Sequence, residues 1–366
     1  MLILNNEEIS SLLSMASCLR VLEKAYNELA AGRAVNRPRT DLYLPSDTSK
    51  GVYCFKTMEA GLVPEGVVAL RINSDVIRWE ERAGGIVKEK VPAAAGEKWV
   101  GLILLFSART GEPLAVFPDG IIQGFRVAAS SALAARFLAR EDSSTLGIFG
   151  SGWQARAHAS AMCAVRPIKR IKVYSPTRAN REAYAEEVGN ELGISVEPVN
   201  ASNEAAAGSD ILVAATNSVS RVIPPEWVKP GMHVTCVKIT ELGEETIRKA
   251  DRLVIHTRIY APANYIAGLG DEKVEGHDPI DYLLGERRPS SAPPPRPFWL
   301  EAPELKDLIG GLARGRQSRE EITCFNNNMG LGIQFVALGH FVYEQARSRA
   351  IGKEIPTEWF LETVHP

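Results

Sequence analysis

Several features that mark secreted, membrane or metal-binding proteins are scarce in this sequence. Its 366 residues include only five cysteines, and no two form a C-x-x-C pair, so the sequence predicts neither a disulfide framework nor a zinc site. The six histidines show no H-x-x-x-H spacing, and we expect no metal. No apolar run approaches the roughly 18 residues that cross a bilayer, and the N-terminus, with Glu7 and Glu8, lacks the form of a signal peptide. We therefore expect a cytoplasmic protein without a membrane partner.

Positive charge is also not concentrated anywhere in the chain. The formal net charge is −2, and the absence of a basic cluster argues against a nucleic-acid partner, because phosphate binding needs a concentrated positive surface. The apolar content of 45% and charged content of 23% are ordinary for a globular protein. A chain of 366 residues is long for a single core and suits two domains.

The most informative motif is an apolar run, Thr145 to Phe149, that ends in a G-x-G-x-x-A turn. The missing side chain of Gly150 permits a tight turn, Gly152 lets backbone N–H groups approach a pyrophosphate, and Ala155 allows close packing of the next helix. A helix and a second strand, 170–174, follow, so the unit is βαβ in outline. The alternative is a glycine turn in an unrelated α/β protein. We predict that the dinucleotide contacts the turn residues Gly150, Ser151, Gly152, Trp153 and Gln154.

The end of the second strand bears on the choice of cofactor. A site for NAD usually offers Asp or Glu to the ribose, whereas this strand runs into Ser175, Thr177 and Arg178. Hydroxyl and guanidinium donors suit a 2′-phosphate, so the sequence favours NADP(H), with NAD(H) possible. The same hydroxyls are also typical of a helix cap before Arg178, and both roles can coexist.

The order of elements predicts an α/β protein with an inserted domain. Alternating helices and strands continue beyond the second strand, and Thr216 and Asn217 follow a strand at the edge where open α/β sheets bind ligands. We assign residues 123–321 to a Rossmann-type dinucleotide-binding domain, inserted into an α+β substrate-binding and dimerisation domain made of residues 1–122 and 322–366. The Pro-rich segment 286–297 is predicted to be an extended surface insertion, or alternatively a polyproline II ligand for another protein.

The order of several motifs along the chain resembles the ornithine cyclodeaminase/mu-crystallin family. The resemblance rests on the segments Arg37-Pro38-Arg39-Thr40, Tyr53-Cys54-Phe55-Lys56 and Thr110-Gly111-Glu112-Pro113-Leu114-Ala115, the Ala-rich helix that holds Arg126, and the run from Gly150 to Arg156. It implies a homodimeric enzyme that acts on a small α-amino or α-imino acid with a nicotinamide cofactor. It also implies that Arg39 and Arg126 hold the substrate carboxylate, that Lys56 lies beside the reacting carbon, and that Thr216 and the segment around Val237 line the cofactor.

These residue types suit such chemistry. Two guanidinium groups can clamp a carboxylate and orient the α-carbon. A lysine close to other cations can exchange a proton near neutral pH, so that Lys56 would act on the nitrogen. Taken singly, each of these residues would more often be a solvated surface charge.

The chain departs from the family at two places. Cyclodeaminases of the family carry an aspartate in a Gly-x-Asp context after the strand that corresponds to 233–237, whereas this chain has Lys238 and no aspartate; Glu241 is a possible substitute. Asn326 to Asn328, then Gln334 and Phe335, stand where the family has Phe-x-Ser-x-Gly and an aspartate at a helix start. The three amides would contact a polar ligand group or form a capping turn.

The sequence therefore favours an NAD(P)H-dependent oxidoreductase that reduces the C=N bond of a small imino acid or oxidises the amino acid. Two alternatives stay open. One is an ornithine cyclodeaminase-type lyase that uses NAD catalytically and releases ammonia, and the other is a nonenzymatic binder of a cofactor or small molecule.

Overall fold

The computed structural model describes residues 1–46, 51–82, 85–218, 220–259, 261–267 and 296–364. Its helices are α1 (Asn6–Leu12), α2 (Met15–Ala30), α3 (Gly120–Leu138), α4 (Trp153–Val165), α5 (Arg178–Leu192), α6 (Ser202–Ala206), α7 (Gly243–Arg248), α8 (Leu305–Ile309) and α9 (Gly332–Arg349). Its strands are β1 (Leu2–Ile3), β2 (Ala34–Asn36), β3 (Thr40–Pro45), β4 (Gly51–Leu62), β5 (Val67–Arg82), β6 (Gly85–Val91), β7 (Val100–Ser107), β8 (Pro113–Pro118), β9 (Thr145–Phe149), β10 (Arg170–Tyr174), β11 (Ser195–Pro198), β12 (Ile211–Ala214), β13 (His233–Cys236), β14 (Arg252–Ile255), β15 (Ala263–Ile266), β16 (Thr323–Asn326) and β17 (Lys353–Glu354).

The first sheet is mostly antiparallel and has the order β15-β3-β4-β5-β7-β8-β1-β17, with β2 paired to β4 and β6 paired to β5. Side chains along β5 alternate between buried and less buried positions from Val67 to Ile77, as expected for a strand with one face on a core. Helices α2, α3 and α9 pack together over the buried face, and α9 crosses β4 and β5. We call this buried side the inner face.

The second sheet has the order β11-β10-β9-β12-β13-β16-β14, and all its strand pairs are parallel. All side chains of β9 and β12 are buried, which is typical of strands covered by helices on both faces. Helix α4 follows β9 and packs on α3. The predicted α/β class with a Rossmann-type sheet is confirmed.

Near the N-terminus, α1 ends before Leu13 and a new helix, α2, begins, because Ser14 caps it by accepting from the Ser17 N–H. Two strands differ from the sequence-based expectations. Segment 323–326, which we had placed with the first domain, is a strand of the second sheet, while β15 pairs with β3 in the first sheet. The Pro-rich segment lies outside the described residues except for positions 296 and 297, and the division into two domains stays a prediction.

Other expected absences concern the described residues only. In that part of the chain, no helix is long and apolar enough to cross a membrane. The same residues contain no group of three or more His, Cys, Asp or Glu side chains that could hold a metal ion. All five cysteines are free thiols, and four of them are buried.

Candidate active site

The predicted glycine turn links β9 to α4. Gly150 has φ +108°, and a Cβ atom there would lie 2.3 Å from the carbonyl oxygen of Ala215, so this position requires glycine. Gly152 is the N-cap residue of α4 and has no side chain to satisfy the first N–H groups. The turn therefore presents unpaired helical N–H groups, which is the arrangement that binds phosphate.

A cavity of about 970 Å³ lies beside this turn, and we call it the turn cavity. Its lining includes nine of the predicted cofactor-contacting residues, namely Gly150, Ser151, Gly152, Trp153, Gln154, Ser175, Thr177, Thr216 and Asn217. Two arginines that sequence reasoning missed, Arg156 and Arg221, also line it. The described residues of the lining include no carboxylate, so nothing there would repel a phosphate dianion.

Two predicted cofactor residues lie outside that lining. The Arg178 guanidinium is 78% exposed and pairs with Glu182 at 2.7 Å, one turn further along α5. The preceding residue, Thr177, does line the cavity and is the N-cap residue of α5. Within the described part of the chain, the Thr177 hydroxyl makes no capping hydrogen bond. The main-chain N–H of Val237 points to a buried carboxylate rather than to the cavity.

That carboxylate belongs to Glu241, which is fully buried. Its Oε1 accepts hydrogen bonds from the backbone N–H and the hydroxyl of Thr216, at 2.6 and 2.7 Å. Its Oε2 accepts from the N–H groups of Val237 and Lys238, at 3.1 and 3.0 Å. Glu241 thus joins the segments that follow β12 and β13, and its four acceptor positions are occupied.

The inner face of the first sheet carries the second group of predicted residues. The strand register places Lys56 of β4 between Asp41 of β3 and Asn73 of β5. The Lys56 ammonium donates to Asp75 at 3.2 Å, and the half-exposed ammonium of Lys90 donates to the same carboxylate at 3.0 Å. Lys56 is 12% exposed and Asp75 fully buried, so this lysine is held in place rather than solvated.

Arg39 and Arg126, the two predicted carboxylate ligands, have different surroundings. Arg39 forms a two-point ion pair with the buried Asp41, through Nε to Oδ1 at 2.6 Å and through Nη2 to Oδ2. The Tyr43 hydroxyl also donates to Asp41. The positive charge of Arg39 is therefore matched within the protein.

Arg126 is buried on α3 and is held by neutral acceptors. The amide oxygen of Gln123 accepts from Nη2 at 2.9 Å, and that of Gln334 accepts from Nη1 at 3.1 Å. Among the described residues it has no carboxylate partner within ion-pair distance. Burial, together with the nearby charge of Arg71, lowers the pKa of the Arg126 guanidinium to about 9. The group is still charged at neutral pH, and its charge is unmatched.

Arg71 was missed by sequence reasoning. Its Nε donates to Asp119 at 2.6 Å, and both side chains are almost completely buried. The guanidinium groups of Arg71 and Arg126 lie 5.0 and 5.2 Å from the ring centre of Phe335. A signal was present, because Arg71 occupies an inward position in the alternating pattern of a half-buried strand.

A second cavity, of about 1250 Å³, opens beside these residues, and we call it the sheet cavity. Its lining includes the buried residues Arg71, Asn73 and Asp119, together with Gln123, Arg78, Lys90 and Lys98. Gln123 is also a partner of Arg126, so one side chain connects the lining of this cavity with the unmatched cation.

The amide-rich segment 326–328 makes bonds within the protein. The Asn327 amide donates to the carbonyl of Val127 on α3 at 3.0 Å, and the Asn328 amide donates to the carbonyl of Thr257 at 2.9 Å. Gln334 continues this polar layer by donating to the Ser130 hydroxyl at 2.7 Å. These bonds fix α3, and with it Arg126, against β16 and α9.

The glycine turn and Arg126 belong to touching elements. Trp153, at the start of α4, packs over α3 so closely that a Cβ atom on Gly124 would lie 1.9 Å from its Nε1. Gly124 is two residues before Arg126. Trp153 also lines the turn cavity, so the glycine turn packs on α3, the helix that carries Arg126.

The chain is similar to known proteins in sequence and in fold. The sequence model of the ornithine cyclodeaminase/mu-crystallin family matches residues 87–350. An alanine dehydrogenase of Archaeoglobus fulgidus is 29% identical, over 97% of this chain and 98% of its own. The structure of Thermococcus litoralis Delta(1)-pyrroline-2-carboxylate reductase in complex with NADH and L-proline is 27% identical, with a TM-score of 0.74 over 97% of this chain and all of that one. An archaeal alanine dehydrogenase dimer with bound NAD is 26% identical, with a TM-score of 0.70 over 97% of this chain and 99% of that one.

Proposed function

Because the chain belongs to the ornithine cyclodeaminase/mu-crystallin family, we propose that it is an NAD(P)H-dependent oxidoreductase that reduces a small α-imino acid or oxidises the amino acid. The observation that carries this proposal is the contact of Trp153 with Gly124, two residues before Arg126. It joins a turn suited to a dinucleotide with the helix that carries a buried cation suited to a carboxylate.

Each residue of the site has a separate role in the proposed reaction. Arg126 holds the substrate carboxylate and thereby fixes the α-carbon beside the turn. Lys56, anchored by Asp75, donates a proton to the substrate nitrogen in the direction of reduction and accepts it in the reverse direction. A reduced nicotinamide bound at the turn would supply hydride to the imine carbon. Burial of Arg126 and Asp75 keeps water from competing for these contacts.

We assign NADP(H) as the preferred dinucleotide. The described lining of the turn cavity has the hydroxyls of Ser175 and Thr177 and two arginines, and it has no carboxylate at the end of β10 to bind a ribose hydroxyl. Arg178 follows Thr177 directly in the sequence, and its side chain is exposed. Its guanidinium can therefore exchange its Glu182 partner for a 2′-phosphate.

The lyase alternative has no observation in its favour. Cyclodeaminases of the family that this chain resembles carry a Gly-x-Asp sequence at this place. This chain has Lys238 in place of the glycine, and no aspartate follows it. The four acceptor positions of Glu241 are filled by Thr216, Val237 and Lys238, so this carboxylate is a structural group rather than a proton carrier for the substrate.

We also propose that the protein is a homodimer formed through the outer face of the first sheet. Apolar side chains occupy the outward positions of neighbouring strands, with Leu42, Leu44 and Val68 each about two-fifths exposed and Leu104 and Phe106 half-buried. A face of this kind is suited to a second copy of the chain.

The experiment measures NADPH and NADH oxidation by the purified chain. The imine substrates are Δ1-pyrroline-2-carboxylate and glyoxylate or pyruvate mixed with an amine. We expect turnover with at least one of them and a kcat/KM about tenfold or more higher with NADPH than with NADH, the order of one charge-assisted contact. Lys56→Ala should lower kcat by roughly 10²- to 10⁴-fold without changing the Kd for NADPH. Lys24→Ala, at an exposed lysine on α2, is the matched control.

Three results would contradict the proposal. The first is no oxidation of either cofactor with any of these imines. The second is release of ammonia from ornithine without a net change in cofactor absorbance, which would indicate the lyase. NADPH binding that persists while Lys56→Ala changes no measured property would indicate a binding protein instead. A Ser175→Asp variant tests the cofactor separately, because the added carboxylate should favour NADH over NADPH.

A further inference from the structure

Arg39 is the arginine that the family resemblance pairs with Arg126, yet its guanidinium already binds a carboxylate at two points. Nε and Nη2 of Arg39 each donate to one oxygen of Asp41. Freeing this group for a substrate would leave Asp41 buried and without its cation, which is costly. Arg39 is therefore poorly placed to be the second arm of a carboxylate clamp.

Arg71 is tied to its carboxylate by one hydrogen bond, whereas Arg39 is tied by two. A guanidinium carries five N–H donors, and in the described structure Arg71 uses the one on Nε, for Asp119. This single bond fixes the orientation of the planar group. The same side chain lines the sheet cavity, together with Gln123, whose amide oxygen holds Arg126.

Phe335 contacts both arginines. Its ring centre lies 5.0 Å from Arg71 Cζ and 5.2 Å from Arg126 Cζ, so one aromatic side chain supports both cations. Gln334 and Phe335 stand where the family resemblance expects an aspartate. With a neutral amide and a ring at this place, Asp119 neutralises Arg71, and no described carboxylate neutralises Arg126.

The charges of the inner face leave room for one anion. Among the described side chains there, Asp41, Asp75 and Asp119 pair with Arg39, Lys56 and Arg71. Lys90 is a second partner of Asp75, but it is half-exposed, so solvent screens its charge. The buried cation left without a carboxylate is Arg126. A substrate with one carboxylate restores the balance, and Arg71 offers its remaining N–H donors to the same group.

We propose that Arg71 and Arg126 together form the carboxylate clamp, with Arg71 in the place that the family resemblance gives to Arg39. The inference rests on the proposed function for the identity of the ligand, a small carboxylate with a planar α-carbon. It makes Arg71 a substrate-binding residue, and it makes Asp119 the positioning residue that orients it.

The test measures binding rather than turnover. The probes are pyrrole-2-carboxylate, which cannot be reduced like an imine, and pyrrole-2-carboxamide, which has the same ring without the charge. Calorimetric titration into the enzyme–NADP(H) complex gives a Kd for each. We expect the wild type to prefer the acid and Arg71→Gln to weaken acid binding by about 30-fold, with little effect on the amide, because a charge-assisted bond is lost.

Two further variants control for damage to the fold. Arg71→Gln with Asp119→Asn removes both charges of the buried pair, so that no carboxylate is left without a partner, and it should show the same loss of acid preference. Arg78→Gln changes an arginine on the same strand and the same cavity wall that pairs with Glu89, and it should keep acid binding within about twofold. Melting temperatures and the Kd for NADPH are measured on all variants.

The outcomes separate this inference from the proposed function. Retention of the acid preference in both Arg71 variants overturns the clamp, even if the enzyme reduces imines. Equal loss of acid and amide binding also overturns it, because Arg71 would then only shape the cavity. Selective loss of the acid supports the clamp, even if no imine is turned over. A wild type that does not distinguish acid from amide contradicts the clamp directly.

Discussion

The positive charge of Arg126 is unmatched among the described residues because the side chains that hold its guanidinium are amides. A change at one of these amide residues would therefore change the charge balance. Gln334 is fully buried, and its amide makes four bonds: Oε1 accepts from Arg126 Nη1 and from the Leu331 N–H, and Nε2 donates to the Arg126 carbonyl and to Ser130. A carboxylate of the same shape at this position would neutralise the guanidinium internally.

Gln334→Glu is therefore expected to weaken carboxylate binding while keeping Arg126 in place. The new charge competes with the substrate, and we expect the Kd for a carboxylate probe to rise about tenfold or more, which corresponds to roughly 1.4 kcal/mol. Titration calorimetry with acid and amide probes measures the effect. Gln317→Glu, at an exposed position, is the control. Unchanged acid binding in Gln334→Glu would show that the unmatched charge of Arg126 is not what attracts the carboxylate.

At the residue scale, motif order in the sequence predicted roles for Lys56 and Arg126, which stay predictions, and it predicted none of their partners. Lys56 lies on β4, and Arg126 lies on α3, which packs on the helix α9 that crosses β4. Arg71 and Asp119 lie 48 positions apart, and only the antiparallel register of β5, β7 and β8 brings them together. A pairing of that kind is set by tertiary structure rather than by local sequence.

At the level of elements, the wall of the turn cavity is made of loops that follow separate strands. The segments after β12 and β13 are tied together by Glu241, whose backbone carbonyl also accepts from the N–H of Val222 at 2.7 Å. Thr216 and Val222 both line the cavity. One buried side chain thus sets the positions of several loops that would contact the cofactor.

Glu241→Gln is expected to loosen this wall. An amide has one acceptor oxygen, so at least one pair of donors among Thr216, Val237 and Lys238 loses its acceptor, at a cost of roughly 1–3 kcal/mol for each buried group left unpaired. We expect a lower melting temperature and a Kd for NADPH that rises about tenfold or more, as measured by fluorescence titration. Glu244→Gln, in an exposed ion pair on α7, is the control. A lower melting temperature with unchanged NADPH affinity would limit Glu241 to a structural role.

The sequence predicted the elements that have a strong local pattern, but it did not predict the strand that is defined by its pairing with distant strands. The glycine turn, β10 and the start of α5 agree with the sequence pattern to within a few residues. Strand β16 was missed because it is short, fully buried and followed by asparagines, which resemble a turn. Its place between β13 and β14 depends on parallel pairing with distant segments.

At the scale of the whole molecule, the inner and outer faces of the first sheet have different proposed roles. The inner face holds Lys56, Arg71 and Asp75 among the strands that α9 covers. The outer face presents an apolar layer, whose exposed part includes Leu42 and Val68. A sheet of ten strands with apolar residues on both faces gains stability if each face is covered.

Substitution of Val68 by glutamate tests the proposed dimer. Val68 lies on β5 between Gly61 of β4 and Phe106 of β7, at an outward position that is 39% exposed in one chain. The wild type should sediment as a dimer of twice 39.9 kDa. A charge buried without a partner at such an interface costs roughly 3–5 kcal/mol, so Val68→Glu should shift the population to monomers. Leu312→Glu, at a residue that is 72% exposed away from this sheet, should stay dimeric. A wild type that sediments as a monomer, or a Val68→Glu variant that remains a dimer, would show that this face does not hold two copies together.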